Sequence, residues 1–166
     1  MPRRQRPPVE REGAHFRINI GRDERELIRR LMAEMRSLLT ESTDDDGRMK
    51  RIFPAAYHQE GDRAFNDEYQ RLMREEILTS RLKGLDAVDS FMAQASGDRA
   101  MLTESEMMAF LQALNGIRLV LGTMLDITDD DHELAFDPND PNARTVALYG
   151  YLGGLLDEIV DAQLAD

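Results

Sequence analysis

An arginine interrupts the most apolar stretch of the chain, ALNGIRLVLGTMLDI, which runs from residue 113 to residue 127. Arg118 shares one helical face with Leu114, Leu121 and Leu125, which lie four before, three after and seven after it. The spacing therefore places a guanidinium in a leucine stripe that should face a core. Because arginine keeps its charge in proteins, a buried one needs hydrogen-bond acceptors.

Acids on the preceding helical segments are the candidate acceptors. The candidate polar network consists of Asn115, Arg118, Glu75, Glu76, Asp86 and Asp89. One interpretation is a core ion pair that fixes helix register, with Arg118 mostly buried against a carboxylate of residues 74–94. The other is an anion-binding arginine in an internal pocket of the bundle. Since no glycine-rich loop or further cation accompanies Arg118, the sequence favours the ion pair.

Residue types that often serve catalysis or metal binding are scattered along the chain. Glu12 and His15 give one Glu-x-x-His spacing, whereas carboxylate-bridged metal sites need two on inward-facing helices. The acidic segment DDDHELAFDPND (129–140) matches no calcium loop. The chain has no cysteine, no phosphate-binding loop and no dinucleotide fingerprint. We therefore predict no catalytic, cofactor-binding or metal-binding residue, and no enzyme.

The charge distribution bears on the class of partner. The net charge is −11, although residues 1–17 carry five arginines against two glutamates, and residues 126–166 carry eleven acids against one arginine. An acidic body repels nucleic acid and argues against direct DNA binding. No apolar run reaches the length of a membrane span, and the first residues lack a secretory signal. A cytoplasmic protein without membrane contact is the expectation.

The hydrophobic pattern predicts a mainly α fold: one helical bundle of four to five helices over residues 15–166. Residues 1–14 contain three prolines and are predicted to be a disordered basic arm that folding does not need. FRINI (16–20) alternates like a strand, and ELAF (133–136) is its expected partner in a small hairpin.

Capping residues and periodicity set the expected helix boundaries. Asp23 should begin the first helix, Thr103 with Glu106 a long helix to about residue 127, and Asp140 with Pro141 the last. Residues 62–94 should form two helices with a break near Met73. Three glycines, at 150, 153 and 154, suggest that a neighbouring backbone comes close to the last helix.

Three blocks, in their order and spacing, resemble a known family. They are RIFPAAY (51–57) with EYQRLMREEILTSRL after it, LNGIRLVLGTMLDI, and ALYGYLGGLLDEIV. Together they resemble an actinobacterial family catalogued as domain of unknown function 2017. Arg118 looks like a signature position of that family, as does a loop of Arg51, Ile52, Phe53, Pro54 and Tyr57.

The resemblance also implies a function. Members are similar to AosR-type oxidative-stress transcriptional regulators, which implies oxidation sensing through paired cysteines and action with an alternative sigma factor. Because this chain has no cysteine, the redox switch has no residue to act through, and a constitutive partner is expected. We therefore expect a cytoplasmic regulator that works through proteins such as a sigma factor. The alternative is an enzyme or small-molecule binder with a pocket around Arg118.

Overall fold

The computed structural model describes residues 6–53, 63–94, 100–128 and 135–165. Pro54, Tyr57, His58 and His132 lie outside these ranges. The elements in chain order are strands β1 (Val9–Glu12) and β2 (His15–Ile18), helix α1 (Arg22–Glu41), a short 3-10 helix (Gly47–Met49), helix α2 (Arg63–Gln94), strand β3 (Ala100–Thr103), and helices α3 (Glu104–Met124) and α4 (Ala143–Leu164).

The fold is mainly α, as the sequence predicts, with α3 at its centre. Helix α3 contacts the other three helices, the 3-10 helix and two of the strands. Its length and composition alone would also suit a membrane span, but a central helix that packs on several sides has the same apolar character. The predicted capping box at its start is confirmed, because Thr103 Oγ1 accepts from Glu106 N and Glu106 Oε2 accepts from Thr103 N.

Much of the hydrophobic core surrounds α3. Phe110 is completely buried and meets Phe91 of α2 edge to face, with ring centroids 5.6 Å apart. The core also receives Phe16 of β2 and Ile159 of α4. The sheet and all four helices therefore share one core.

The three strands form one antiparallel sheet in the order β1-β2-β3. Val9 pairs with Ile18, and Phe16 pairs with Leu102. The predicted pairing of the Phe16 strand with residues 133–136 is wrong, because β1 and β3 occupy both edges of β2. Phe136 lies in exposed coil.

The predicted disordered arm is wrong for residues 9–12, which form β1. Val9 is only 3% exposed, and Asn19 N donates to Pro8 O at 2.7 Å. Strand β1 also packs against α4. The N-terminal segment therefore contributes a buried apolar side chain and a ladder of backbone hydrogen bonds.

Helix α2 is continuous through Met73, so the predicted break there is wrong. The apolar pattern changes because the packing changes. Tyr69 and Leu72 in the first half are about half exposed (50% and 51%), whereas Leu85 and Val88 in the second half are buried. The sequence change marks where the helix meets the core.

Two helix starts differ slightly from the prediction. Helix α1 follows Gly21, whose N–H donates to Glu24 at 3.1 Å, so Asp23 is not the cap. Helix α4 begins at Ala143 after Asp140, whose carboxylate accepts from Asn142 N at 2.7 Å. In both cases a nearby acid satisfies a backbone donor at the helix start.

The glycines of α4 do not mark a close backbone approach, contrary to the prediction. A Cβ at Gly150 or Gly154 would meet no atom of a described residue within 4 Å, and of the three only Gly153 has a near neighbour among them, the Arg118 side chain. We therefore expect Gly150→Ala and Gly154→Ala each to stabilise the protein by up to about 1 kcal/mol through helix propensity.

Thermal unfolding of the two alanine variants measures this effect. Gly13→Ala is the control of opposite sign, because Gly13 has a φ of 63° that an alanine adopts with strain. A lower melting temperature for the variants at positions 150 and 154 would show that these positions do make contacts.

Candidate functional site

A groove lies between α1 and α4, with α3 as its floor. We call it the α1–α4 groove; its volume is about 810 Å³. Its apolar lining consists of Leu27, Leu31, Met35, Leu38, Ile117, Val120, Leu121, Met124 and Leu148. Four of these side chains are buried, and the exposed apolar surface comes from Met124 and from the half-buried leucines. A concave surface with an apolar lining is characteristic of binding sites.

A single hydrogen bond shows how the groove arises. Tyr151 of α4 donates its hydroxyl to Glu24 Oε1 at the start of α1, at 3.2 Å. Burial raises the pKa of Tyr151, and the Glu24 carboxylate raises it further. The groove residues all lie beyond this bond, toward the C-terminal end of α1 and the N-terminal end of α4. Otherwise the two helices barely contact each other, and of the α3 residues on the floor between them Ile117 and Val120 are buried whereas Met124 is exposed.

The rim of the groove carries charges of both signs. Asp46 and Arg48 at one end bind each other at 2.7 Å. Glu34 and Glu41, two helical turns apart on α1, form no ion pair with any residue that the structure describes. Arg30 and Arg144, which also line the groove, form none either. The rim therefore has both acids and arginines free to bind a charged partner.

Two side chains on the groove surface are not fully satisfied by the fold: one is apolar and exposed, and the other is polar and buried without a hydrogen bond. Met124 on the floor is 52% exposed. Ser42 Oγ at the end of α1 is buried and has no hydrogen-bond partner in the described parts of the chain. An apolar surface and an unsatisfied hydroxyl thus line the same groove.

The ion pair predicted for Arg118 is wrong. Arg118 is partly buried, and its guanidinium lies over the Tyr149 ring of α4, 4.3 Å from the centroid. Its Nε is buried without an acceptor among the described residues. Arg118 also does not line the α1–α4 groove, so the groove is not the predicted pocket around this residue.

The predicted partners of Arg118 lie elsewhere. Asp86 and Asp89 of α2 both bind Arg36 of α1, each at 2.9 Å, and this bridge holds α1 against α2. Glu75 binds Arg71 at 3.2 Å within α2. Glu76 is exposed, and the side chain of Asn115 forms no hydrogen bond with a described residue. The structure therefore does not assemble the predicted polar network.

Arg51, which the sequence assigned to a separate loop, reaches the same part of the contact between α3 and α4. A Cβ at Gly122, one turn after Arg118, would lie 3.0 Å from Arg51 Nη1 and 3.2 Å from Tyr149 Cε2. Arg51 Nη2 donates to the carbonyl of Ile127 at the end of α3. We call Arg51 and Arg118 the arginine pair. In the sequence, Gly122 could have indicated this contact, since only a glycine leaves room for a guanidinium against the helix.

Two neighbours in the signature loop have structural roles. Ile52 is buried in the core, and Phe53 lies under the Arg74 guanidinium at 4.0 Å. A second glycine of α3, Gly116, similarly faces Arg81, whose Nη1 lies 3.2 Å from the Cβ position. Burial lowers the pKa of Arg81. Arginines therefore pack against α3 at both of its glycines.

Comparison with known protein families identifies the chain. A family model described as domain of unknown function (DUF2017) matches residues 5–163. The chain belongs to the DUF2017 family. No curated protein and no solved structure matches it.

The DUF2017 match covers both the α1–α4 groove and the arginine pair. Among the residues that the structure describes, no group of three histidine or acidic side chains could hold a metal ion. His15, in the Glu-x-x-His spacing, is exposed on β2. The groove and the arginine pair are therefore the two candidate sites in this DUF2017 protein.

Proposed function

We propose that this DUF2017 protein is a regulatory protein that acts through protein contacts, and that its α1–α4 groove binds an amphipathic helix of the partner. The observation that carries the proposal is the groove between α1 and α4, whose lining is largely apolar and whose floor exposes Met124 of α3. A groove with an apolar floor and a polar rim has the composition of a protein-binding surface. A helix docks in such a groove through apolar side chains at positions i, i+3, i+4 and i+7.

The charges of the chain indicate the chemistry of the partner. The net charge of −11 attracts a basic protein over long range. Glu34 and Glu41 offer two unpaired carboxylates separated by two helical turns, about 10 Å along α1. A partner helix with an apolar stripe flanked by lysine or arginine at the same spacing suits both features.

The resemblance to AosR-type regulators suggests the transcription machinery, such as an alternative sigma factor, as the partner class. In this proposal the protein works in the cytoplasm without binding DNA itself. Since no cysteine is present, it acts as a constitutive partner and oxidation is sensed elsewhere. The alternative of a small-molecule pocket around Arg118 receives no support from the groove, because Arg118 is not part of it.

Charge reversal at the rim tests the proposal. The partner is isolated on the full chain from cells of the source organism, purified, and compared with purified sigma factors and RNA polymerase. We expect Glu34→Lys combined with Glu41→Lys to slow association at least about tenfold at low salt, with a smaller difference at high salt.

The control makes the same change of charge away from the groove. Asp157 and Asp161 are exposed, one turn apart on α4, and do not line the groove. Asp157→Lys combined with Asp161→Lys should leave most of the association rate intact. Equal slowing by both double variants would show that only net charge matters and would refute docking in the groove. An association rate that neither double variant changes would also refute docking in the groove.

A further inference from the structure

We propose that the arginine pair binds a small oxyanion that carries a phosphate group. The site lies at the contact between α3 and α4, where Arg118 covers the Tyr149 ring and Arg51 lies against Gly122. It is separate from the α1–α4 groove and does not depend on the proposed protein-binding role.

The first argument is the unsatisfied hydrogen-bonding capacity of the two guanidiniums. Each has five N–H donors. Arg118 donates none of them to a described residue, and its Nε is shielded from water. Of the Arg51 donors, only Nη2 forms a hydrogen bond with a described residue, the carbonyl oxygen of Ile127. A buried donor without an acceptor is costly, so an acceptor that reaches this position is favoured.

The second argument is the arrangement of charge. Arg118 lies over the Tyr149 ring, and Arg51 Nη1 lies against α3 at Gly122, one turn after Arg118. Neither arginine has a carboxylate partner among the described residues. Two cations in one region without an acid make the local potential positive, which favours an anion there.

The third argument concerns the shape of the ligand. A guanidinium is a planar fork that matches two oxygens of a carboxylate or phosphate. A phosphate has enough oxygens to accept from both forks at once and carries up to two negative charges near neutral pH. Gly122 and Gly153 keep the space beside the forks free of Cβ atoms. The proposed ligand is therefore a phosphate group, either as free phosphate or as part of a phosphomonoester.

Titration of the full chain with inorganic phosphate and with adenosine monophosphate tests the site at constant ionic strength, with chloride as the blank. We expect saturable binding that Arg118→Met and Arg51→Met each weaken at least about tenfold. Arg29→Met is the matched control, because Arg29 is exposed on α1 and lines neither site. Tighter binding of the nucleotide identifies a phosphomonoester as the natural source, and equal binding identifies free phosphate.

Folding of the variants is checked by thermal unfolding without ligand. Arg118→Met should remain folded, because methionine can pack on Tyr149 and no carboxylate loses its partner. If Arg51→Met unfolds after losing Ile127 O, Arg51→Lys replaces it. Lysine keeps the charge but lacks the fork, so we still expect binding to weaken.

Two results would overturn the proposal. One is phosphate binding that is equal in wild type, Arg29→Met and Arg118→Met, or absent from all of them. The other is binding that occurs only after Asp129, Asp130 and Asp131 are changed to Asn. That result would mean that acids of the chain itself, which follow Ile127 in sequence, are the ligands of the arginine pair.

Discussion

A chain that begins at Gly13 is expected to melt roughly 5–15 °C below the full-length protein, since 1 kcal/mol corresponds to about 2–4 °C at this size. The deletion removes β1 with the buried Val9 side chain and its contacts to α4. Burial of a valine contributes about 1.5–3 kcal/mol, and each lost backbone hydrogen bond about 1 kcal/mol. The flexibility that the shortened chain regains offsets part of this loss. We therefore expect a net loss of about 2–4 kcal/mol.

Two point variants separate packing from chain length. Val9→Asp places a charge at the buried position and should reproduce much of the destabilisation in the full-length chain. His15→Thr, at an exposed position of β2 in the same hairpin, should have little effect. Equal melting temperatures for the truncated and full-length chains would mean that β1 contributes nothing to stability. The residues would then behave as the disordered arm that the sequence predicts.

The sequence does not reveal β1 because its pattern is weak. VERE contains a single apolar residue among three charged ones, follows two prolines and precedes a glycine. β3, AMLT, is equally short, and its Leu102 is buried because β3 packs against α2 and α3 beside β2. Short strands of this kind are determined by their neighbours in the fold rather than by their own residues. The longer helices α1 and α3 were predictable because their periodicity extends over five or more turns.

The candidate sites, too, could be predicted only in part from the sequence. Periodicity identified Leu121 as an apolar position of α3, but not that Met124, three residues later, is left half exposed on the floor of a groove. For Arg118 the predicted face of the helix was nearly right and the partner was wrong. Which acid a long arginine reaches depends on the relative positions of helices, and a single sequence does not contain that information.

Substitution of Met124 by lysine is expected to have the largest effect on partner binding. Met124 lies on the groove floor near the end of α3 and is 52% exposed. If a basic amphipathic helix covers this floor, the lysine puts a cation into an apolar contact and opposite a partner of like charge. Central apolar residues of interfaces contribute at least about 2 kcal/mol when they are hot spots. We therefore expect affinity to fall about 30-fold or more.

The same helix supplies the matched control for this test. Met108 of α3 is 42% exposed and does not line the groove, so Met108→Lys makes the same chemical change at similar exposure and should leave affinity within a few-fold of wild type. Neither variant should change the melting temperature by more than a few degrees, because both side chains are already partly in water. Met124→Ala separates charge from contact, since alanine removes only the contact and should weaken binding less than lysine does. If Met124→Lys and Met108→Lys weaken binding equally, the partner does not occupy the groove. If neither weakens it, the exposed face of α3 is not part of the interface.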